Sequence, residues 1–470
     1  MIKFIEGMQY VFNTFGSTVF VPIMLFFVAK VLKTQTQKAF MSALMAGVAL
    51  CGFSYITGGY GPYISGIVNT LVQDTGIALT AVDMGWQATA AMAYSTTIGM
   101  IYVLVGILLQ AGLYLVGWTP IFMPTDLWNN YSFIIWGSFV YLQTGSMALA
   151  MVCMVLQNMY VLLFAEVIQK RWETYYGYPG TVMTAPHHIA HVPLIILLDW
   201  IMNKIGLDRI NFRPEAINKR LGFLGDPMTI GFIAGILIGI VGNIYRLNSL
   251  DSWGAIMKFA IATAATMAIF PRVGNIFAQA FATLTESSRG VAKSGAKDRE
   301  IYIAVNDALG YGEAATLTSG LILIPISLFL SFVLPGNKII PIMSLTSFAY
   351  RCETSICVSD GNILKAVIAQ TVVLALCLWI GSYNAELYTA VAKDVGVDLG
   401  SSVLVVGMIA AMPGMFVIYW PFATKNYILM AVVIAVYVVL YFWYKKNKPV
   451  MDDFLEKNAY SYKDKKEVAA

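Results

Sequence analysis

The sequence predicts an all-α polytopic membrane protein of about 11 transmembrane helices, some of them broken or re-entrant. Composition is the first observation: 58% of the 470 residues are hydrophobic and 12% are charged, whereas about 25% of a soluble globular protein is charged. The second is the length of the charge-free runs at 7–29, 39–73, 84–125, 127–165 and 426–444, because about 20 apolar residues cross a bilayer. This composition excludes a soluble cytosolic enzyme.

The distribution of lysine and arginine predicts the orientation in the membrane. Four segments, 30–38, 204–220, 289–300 and the residues from 445 onward, hold 19 of the 30 basic residues. Cytoplasmic loops collect such residues, so we expect the N-terminus outside the cell and the C-terminus in the cytoplasm. With a net charge of only +4 and no basic stripe, the chain gives no indication of a nucleic-acid partner.

The apolar run 127–165 is too long for one straight helix, because 39 residues would measure nearly 60 Å against a hydrocarbon core of about 30 Å. We expect the helix to break at the polar tetrad Gln143-Thr144-Gly145-Ser146. The tetrad either lines a cavity or makes a satisfied helix–helix contact.

An internal repeat follows when the two halves are read together. The segment 15–23 and the later segment 81–86 match, in order and spacing, the segments 224–232 and 304–312. The predicted topology makes the copies inverted, as in many alternating-access transporters; chance matching of small apolar residues is the alternative. The predicted organisation is a first half at 1–203, a basic cytoplasmic loop at 204–226, a second half at 227–444 and a cytoplasmic tail at 445–470.

Polar residues at matching places in the two copies are candidates for a substrate site. They are Asp83 in the first copy and Asn306, Asp307 and Glu313 in the second. Carboxylates and amides bind sugar hydroxyls, the indole of Trp86 can cover a C–H face, and Gln87 lies beside it. The alternative is that these acids cap helices.

All three histidines lie in the segment 186–191, and we select His187 and His188 as candidates. Such a histidine accepts a substrate proton or hydrogen-bonds a hydroxyl, and packing at the membrane interface is the alternative. Their spacing is not that of a zinc site, so we expect no metal and no cofactor. The sequence also lacks a Walker A pattern, so energy must come from an ion gradient or from another polypeptide.

Several of these segments, taken in order, resemble the galactitol-type membrane subunit, enzyme IIC, of the bacterial phosphoenolpyruvate-dependent sugar phosphotransferase system (PTS). The matching segments are 82–86, 186–187, 209–212, 224–232, 267–273 and 334–341. The resemblance implies a permease for a sugar or polyol, whose substrate is phosphorylated by a separate IIB subunit carrying a phosphocysteine, itself served by IIA. It implies a homodimer with a scaffold domain and a mobile core domain, no catalytic or phosphoryl-accepting residue in this chain, and a core containing Asp83, Gln143, Thr144, His187 and Asp307.

The sequence departs from the family pattern beside two predicted substrate residues. Pro186-His187-His188 stands where the family has Pro-His-Gly, and Gly310-Tyr311-Gly312-Glu313 stands where it has Gly-His. Which sugar or polyol is carried is therefore open. The alternative function is a proton- or sodium-coupled secondary transporter, in which Asp83, Asp307 and Glu313 carry the ion.

Overall fold

A computed structural model describes residues 14–15, 17–31, 33–75, 81–210, 212–213, 227–295, 300–341, 344–395 and 404–460. Helices dominate these residues. In the first half they are α1 (Ser17–Val31), α2 (Thr36–Thr75), α3 (Gly85–Ser95), α4 (Thr97–Leu115), α5 (Tyr131–Thr144), α6 (Met147–Tyr176), α7 (Pro186–Ile189) and α8 (Val192–Lys204). In the second half they are α9 (Pro227–Gly242), α10 (Leu250–Gly295), α11 (Ala308–Tyr311), α12 (Ala314–Val333), α13 (Phe348–Val358), α14 (Ile363–Asp394), α15 (Pro413–Ala423) and α16 (Tyr427–Tyr460).

Five of the described helices are long and apolar enough to cross a bilayer. They are Met147–Tyr176, Leu250–Ile269, Ala314–Val333, Ile363–Asp394 and Tyr427–Ala459. Val105–Leu115 and Gly231–Gly242 are apolar but shorter. These helices establish the membrane class that the sequence predicts, while the expected number of about 11 spans stays a prediction.

The all-α prediction is incomplete, because the described residues also contain six short strands. They are β1 (Ala81–Asp83), β2 (Ile121–Phe122), β3 (Thr181–Met183), β4 (Tyr302–Val305), β5 (Ile339–Ile340) and β6 (Leu404–Val406). They form two parallel sheets of three strands, ordered β5-β1-β6 and β2-β4-β3. Segments of two to four residues are too short to show the alternation by which a strand is recognised in a sequence.

The order of elements in the first half recurs in the second. Each half runs through two helices, a strand, two further helices, a strand of two residues, a shorter and a longer helix, and another strand. The two central strands, β1 and β4, each pair only with strands of the other half. Each sheet is therefore built from both halves, and neither half completes a sheet alone.

Breaks between helices occur at corresponding places in the two halves. Helix α5 ends at Thr144, where Gly145 adopts a left-handed φ of +67°, and the Ser146 side chain caps α6. In the second half Gly361, with φ +77°, separates α13 from α14, and Asn362 caps α14. A glycine reaches this backbone region without strain, so the chain breaks within the polar tetrad that the sequence identifies.

Glycines allow α9 to pack closely on α10. Gly231, Gly235 and Gly239 recur every four residues on one face of α9, and a Cβ at Gly235 would lie 2.5 Å from the Cα of Ala260. Small residues at this spacing let membrane helices approach each other closely. Tyr60 of α2 completes the contact from the other side, with its hydroxyl 2.9 Å from that of Thr263.

Buried ion pairs join α8 to α14, and α6 to the last helix. The Lys365 ammonium lies 2.7 Å from Asp199, and both side chains are only 2% exposed. Arg171 contacts Asp360 and also Glu456 of α16. The predicted tail at 445–470 begins inside a helix, because α16 continues to Tyr460 through a kink at Asn447.

We expect a destabilised protein when Gly414 is replaced by alanine. A Cβ at this position would overlap the carbonyl oxygen of Ala190, a backbone atom that cannot rotate away. Such overpacking costs about 1–3 kcal/mol. Thermal unfolding in detergent measures the loss. Gly112→Ala is the matched control, because nothing lies within 4 Å of a Cβ there; equal unfolding temperatures for the two variants would contradict the expectation.

Candidate functional site

The end of the central strand β4 positions a buried carboxylate. Asn306 and Asp307 follow β4 directly, and the amide of Ala308 donates a hydrogen bond of 3.1 Å to Oδ1 of Asn306. This contact turns the chain into the short helix α11. Asp307 is 8% exposed, so its carboxylate lies at the edge of the sheet and almost out of solvent.

Two histidines meet this carboxylate on the same oxygen. Nε2 of His187 lies 2.9 Å and Nε2 of His188 lies 3.0 Å from Oδ2 of Asp307. Both histidines belong to α7, which follows β3, the neighbour of β4 in the sheet. Sequence analysis selects Asp307 and the histidines by separate arguments, and the fold brings them together.

The hydrogen bonds determine which ring nitrogen is protonated. A carboxylate only accepts hydrogen bonds, so Nε2 of each histidine carries the hydrogen, and in a neutral imidazole Nδ1 then keeps its lone pair. Both Nδ1 atoms are buried and have no hydrogen-bond partner within the part of the chain that the structure describes. The His187 side chain is the more accessible of the two, at 11% against 0%. Among the described residues, the cluster therefore presents two acceptors that no other protein group uses.

A second buried acid supports the cluster from the segment after β2. Thr184 donates a hydrogen bond of 2.9 Å to Oδ2 of Asp126, and Asn129 donates to both of its oxygens at 2.9 and 3.1 Å. The side chain of Asn306, next to Asp307 in the chain, lies near Asp126. Sequence analysis missed Asp126, because a two-residue strand gives no pattern that connects it to Asn306.

Asp83 lies at the end of β1, the central strand of the other sheet. Its hydrogen-bond partners differ from those of Asp307. Its Oδ1 accepts a hydrogen bond of 3.0 Å from the amide of Gly85, and its Oδ2 accepts one of 2.7 Å from the amide of Ser344. The residue is 0% exposed. Backbone amides thus satisfy both oxygens, and no hydrogen bond among the described residues joins Asp83 to the cluster of Asp307. Trp86 is half-buried against the core, and the side chain of Gln87 lies outside the described residues.

Glu313 is a helix cap, one of the two alternatives that the sequence leaves open. It caps α12, accepting hydrogen bonds of 2.8 Å from the amides of Ala315 and Thr316. Gln143 and Thr144 also have partners away from Asp307. Tyr419 donates to Gln143 at 2.6 Å, and Thr144 donates to a backbone carbonyl of its own helix.

Helix α13 contributes a further buried acid that sequence analysis missed. Glu353 is 0% exposed, and neither carboxylate oxygen has a hydrogen-bond partner among the residues that are described. It faces α11, because a Cβ at Gly310 would lie 2.8 Å from Oε2 of Glu353. Gly310 is one turn beyond Asp307. The signal in the sequence is a charged pair, Arg351 and Glu353, inside an otherwise weakly polar helix.

The ligand atoms of His187, His188 and Asp307 lie within 4.8 Å of one another, so a metal ion is a possible occupant. Metal-ligating histidines almost always donate their other ring N–H to an acceptor, which orients the ring. Here Nδ1 has no such partner in either histidine, and Nε2 is directed at the carboxylate instead. The donor set fits a hydrogen-bonding cluster better than a resident metal.

Comparison with known proteins now identifies the family. The sequence model of the EIIC-GAT family, described as "PTS system sugar-specific permease component", matches residues 10–402. The chain belongs to the EIIC-GAT family. It is a multi-pass membrane permease component of the sugar phosphotransferase system, with a sugar as substrate and IIA and IIB subunits as partners.

Individual relatives of this permease are distant but cover most of the chain. It is 26% identical over 412 residues to the "PTS system galactitol-specific EIIC component" of Escherichia coli strain K12, covering 87% of this chain and 88% of the relative. The protein of the same name from Escherichia coli O157:H7 gives the same values. A "Putative permease IIC component" of strain K12 is 26% identical over 382 residues, covering 81% of this chain and 86% of that relative.

Proposed function

We propose that the permease binds a sugar or polyol at the cluster of Asp307, His187 and His188 and presents it there for phosphorylation. The observation that carries the proposal is the pair of unpartnered Nδ1 atoms on histidines whose Nε2 atoms are held by one carboxylate. Such an acceptor matches the hydrogen of a substrate hydroxyl. His187 is the entry side, because its side chain is the more exposed.

The same arrangement accounts for the proton that phosphorylation releases. The substrate oxygen forms a bond to phosphorus, the bond between phosphorus and the cysteine sulfur of IIB breaks, and the hydroxyl proton moves to Nδ1 of a histidine. Asp307 then stabilises the imidazolium, as a carboxylate does for a histidine base in acyl transfer. In this mechanism the chain binds substrate and holds its proton, and the phosphoryl group never becomes attached to it.

The other predicted binding residues have secondary roles in this proposal. Asn306 orients Asp126 beside the cluster, and Glu313 fixes the start of α12. Asp83 is the counterpart of Asn306 in the other sheet, since the side chain of each accepts a hydrogen bond from the amide two residues further on, and Asp83 holds the segment at Ser344 in place. Binding of substrate by Trp86, Gln87, Gln143 and Thr144 stays a prediction. In this proposal the broken helix α5–α6 lines the substrate path opposite the cluster of Asp307.

The proposal includes an inverted repeat, which the recurring order of elements supports. With the basic segments in the cytoplasm, the N-terminus lies outside and the C-terminus inside. A homodimer formed through a scaffold domain, with the site in a mobile core domain, follows from the resemblance to the family. The pairing of β1 and β4 with strands of the other half supports a site where the two halves meet.

Inside-out vesicles containing the permease test the function. Together with the general phosphotransferase proteins and its IIA and IIB subunits, we expect it to convert one member of a labelled sugar and polyol panel into a phosphate ester. Galactitol belongs in the panel because two relatives are named for it. The ester should disappear when the permease or IIB is omitted. Accumulation of free substrate that follows an imposed proton or sodium gradient, without any ester, would contradict the proposal and favour a secondary transporter.

A further inference from the structure

Helix α13 carries a buried cation with unusual surroundings. Arg351 is 8% exposed, and its Nη2 donates a hydrogen bond of 2.9 Å to the thiol of Cys377 in α14. No carboxylate of the described residues lies within ion-pair distance of the guanidinium. A neutral thiol is a weak acceptor, so this contact leaves the positive charge without a counter-charge.

The other buried cations of the described chain show what is missing. Arg171, at 1% exposed, contacts the carboxylates of Asp360 and Glu456. Lys365, at 2%, contacts Asp199. Burial of a charge without a partner is strongly unfavourable. Arg351 therefore differs from cations that serve only the fold.

The nearest acid on the same helix does not neutralise Arg351. Glu353 is two residues further along α13, and side chains two positions apart do not face each other on a helix. Glu353 instead faces Gly310 of α11, where its own oxygens are unpartnered. Within three residues, α13 thus presents a cation without a counter-charge in one direction and a carboxyl group without a hydrogen-bond partner in another, as far as the described residues extend.

The charge of Arg351 acts on His188 and His191 in the segment around α7, and on Asp83 at the end of β1. Helix α13 packs against α7 and α11, the two helices that carry the cluster of Asp307. A ligand held by the histidines is therefore within the electrostatic reach of this guanidinium.

We propose that Arg351 binds an oxyanion of the ligand, in the first place the phosphoryl group that the sugar receives. This inference rests on the proposed function. A guanidinium binds phosphate or carboxylate oxygens with two parallel hydrogen bonds, which a thiol does not satisfy. Phosphorylation turns an uncharged sugar into a dianionic ester, so Arg351 contributes most once the phosphoryl group is in the site. A sugar acid would offer the same chemistry through its own carboxylate.

The test uses the full chain in lipid nanodiscs with two probes, inorganic phosphate and glucuronate, and measures their affinities from the rise in unfolding temperature. Phosphate should stabilise the protein in a saturable way. Arg351→Gln should weaken phosphate binding about 10- to 150-fold, as for loss of hydrogen bonds to a charged group. Arg351→Lys keeps the positive charge but not the parallel N–H donors of the guanidinium, and should bind phosphate with intermediate affinity.

Arg246→Gln is the matched control, because it removes one positive charge at an exposed ion pair with Asp74. Its phosphate affinity should equal that of the unchanged protein. If Arg351→Gln does not fold, the comparison of Arg351→Lys with Arg246→Gln decides. Glucuronate binding that depends on Arg351, without phosphate binding, would support the oxyanion site and assign it to a sugar acid. No binding of either anion, or equal binding after Arg351→Gln, overturns the proposal.

A second measurement separates this inference from the proposed function. For the ester and its parent sugar from the vesicle assay, Arg351→Gln should lower the affinity for the ester and leave that for the sugar unchanged. Equal loss for both ligands would contradict a role specific to the anion. If the vesicles form no ester, the proposed function fails by itself, while the titration with inorganic phosphate still gives its own answer.

Discussion

Asp307→Asn is expected to abolish most of the turnover of the permease. An asparagine oxygen in the place of Oδ2 carries no negative charge, so it holds the Nε2–H groups of His187 and His188 more weakly than the carboxylate does. It also no longer stabilises an imidazolium formed when Nδ1 accepts the substrate proton. We expect substrate affinity to fall about 5- to 150-fold and phosphorylation at saturating substrate to fall about 10²- to 10⁴-fold. Substrate titration and the vesicle assay measure the two effects.

Glu313→Gln is the matched control for this substitution, since it also exchanges an acid for its amide at the start of a helix. Its carboxylate caps α12. It should lower stability, because loss of a helix cap costs about 0.5–2 kcal/mol, and should leave affinity for the substrate unchanged. If the two variants behaved in the opposite way, Asp307 would be a structural residue and Glu313 the substrate ligand.

Lys365→Met is expected to have the largest effect on stability. It leaves Asp199 buried without its cation at a position where both side chains are 2% exposed, and breaking a buried ion pair costs about 3–5 kcal/mol. Thermal unfolding in detergent measures the loss.

Two comparisons separate the buried pair from ordinary surface charge. Adding Asp199→Leu to Lys365→Met should recover most of the lost stability, because the unpaired charge is then gone. Lys457→Met removes a lysine from an exposed pair with Asp453 and should change little. The expectation fails if Lys365→Met is as stable as Lys457→Met.

The sequence predicts features that depend on local pattern or on composition. The membrane class follows from charge-free runs, and the break after Thr144 follows from a polar, glycine-containing tetrad in an apolar run. Asp307 and His187 each stand out as polar residues beside apolar segments. Their contact joins residues 120 positions apart, and the sequence alone does not show that they are close in space.

What the sequence misses depends on pairing between distant segments. The strands have two to four residues and are recognised only by their partners in the other half. Asp126 becomes a site residue through Thr184 and Asn306, and Arg351 becomes unusual only when its surroundings lack a carboxylate. The distinction between Asp307 and Asp83 likewise lies in their partners, histidines in one case and backbone amides in the other.

The pairing of each central strand with strands of the other half also constrains how the chain is synthesised and folded. Strand β1 leaves the ribosome long before β5 and β6, its only described partners, because those strands begin at residues 339 and 404. At about 5–20 residues per second, translation takes roughly 15–60 s to cover that interval. For this time the amides and carbonyls of 81–83 have no sheet to join and must be protected by lipid headgroups, by water or by the insertion machinery. The two halves synthesised as separate chains should therefore form a permease only when they are made together in the same membrane.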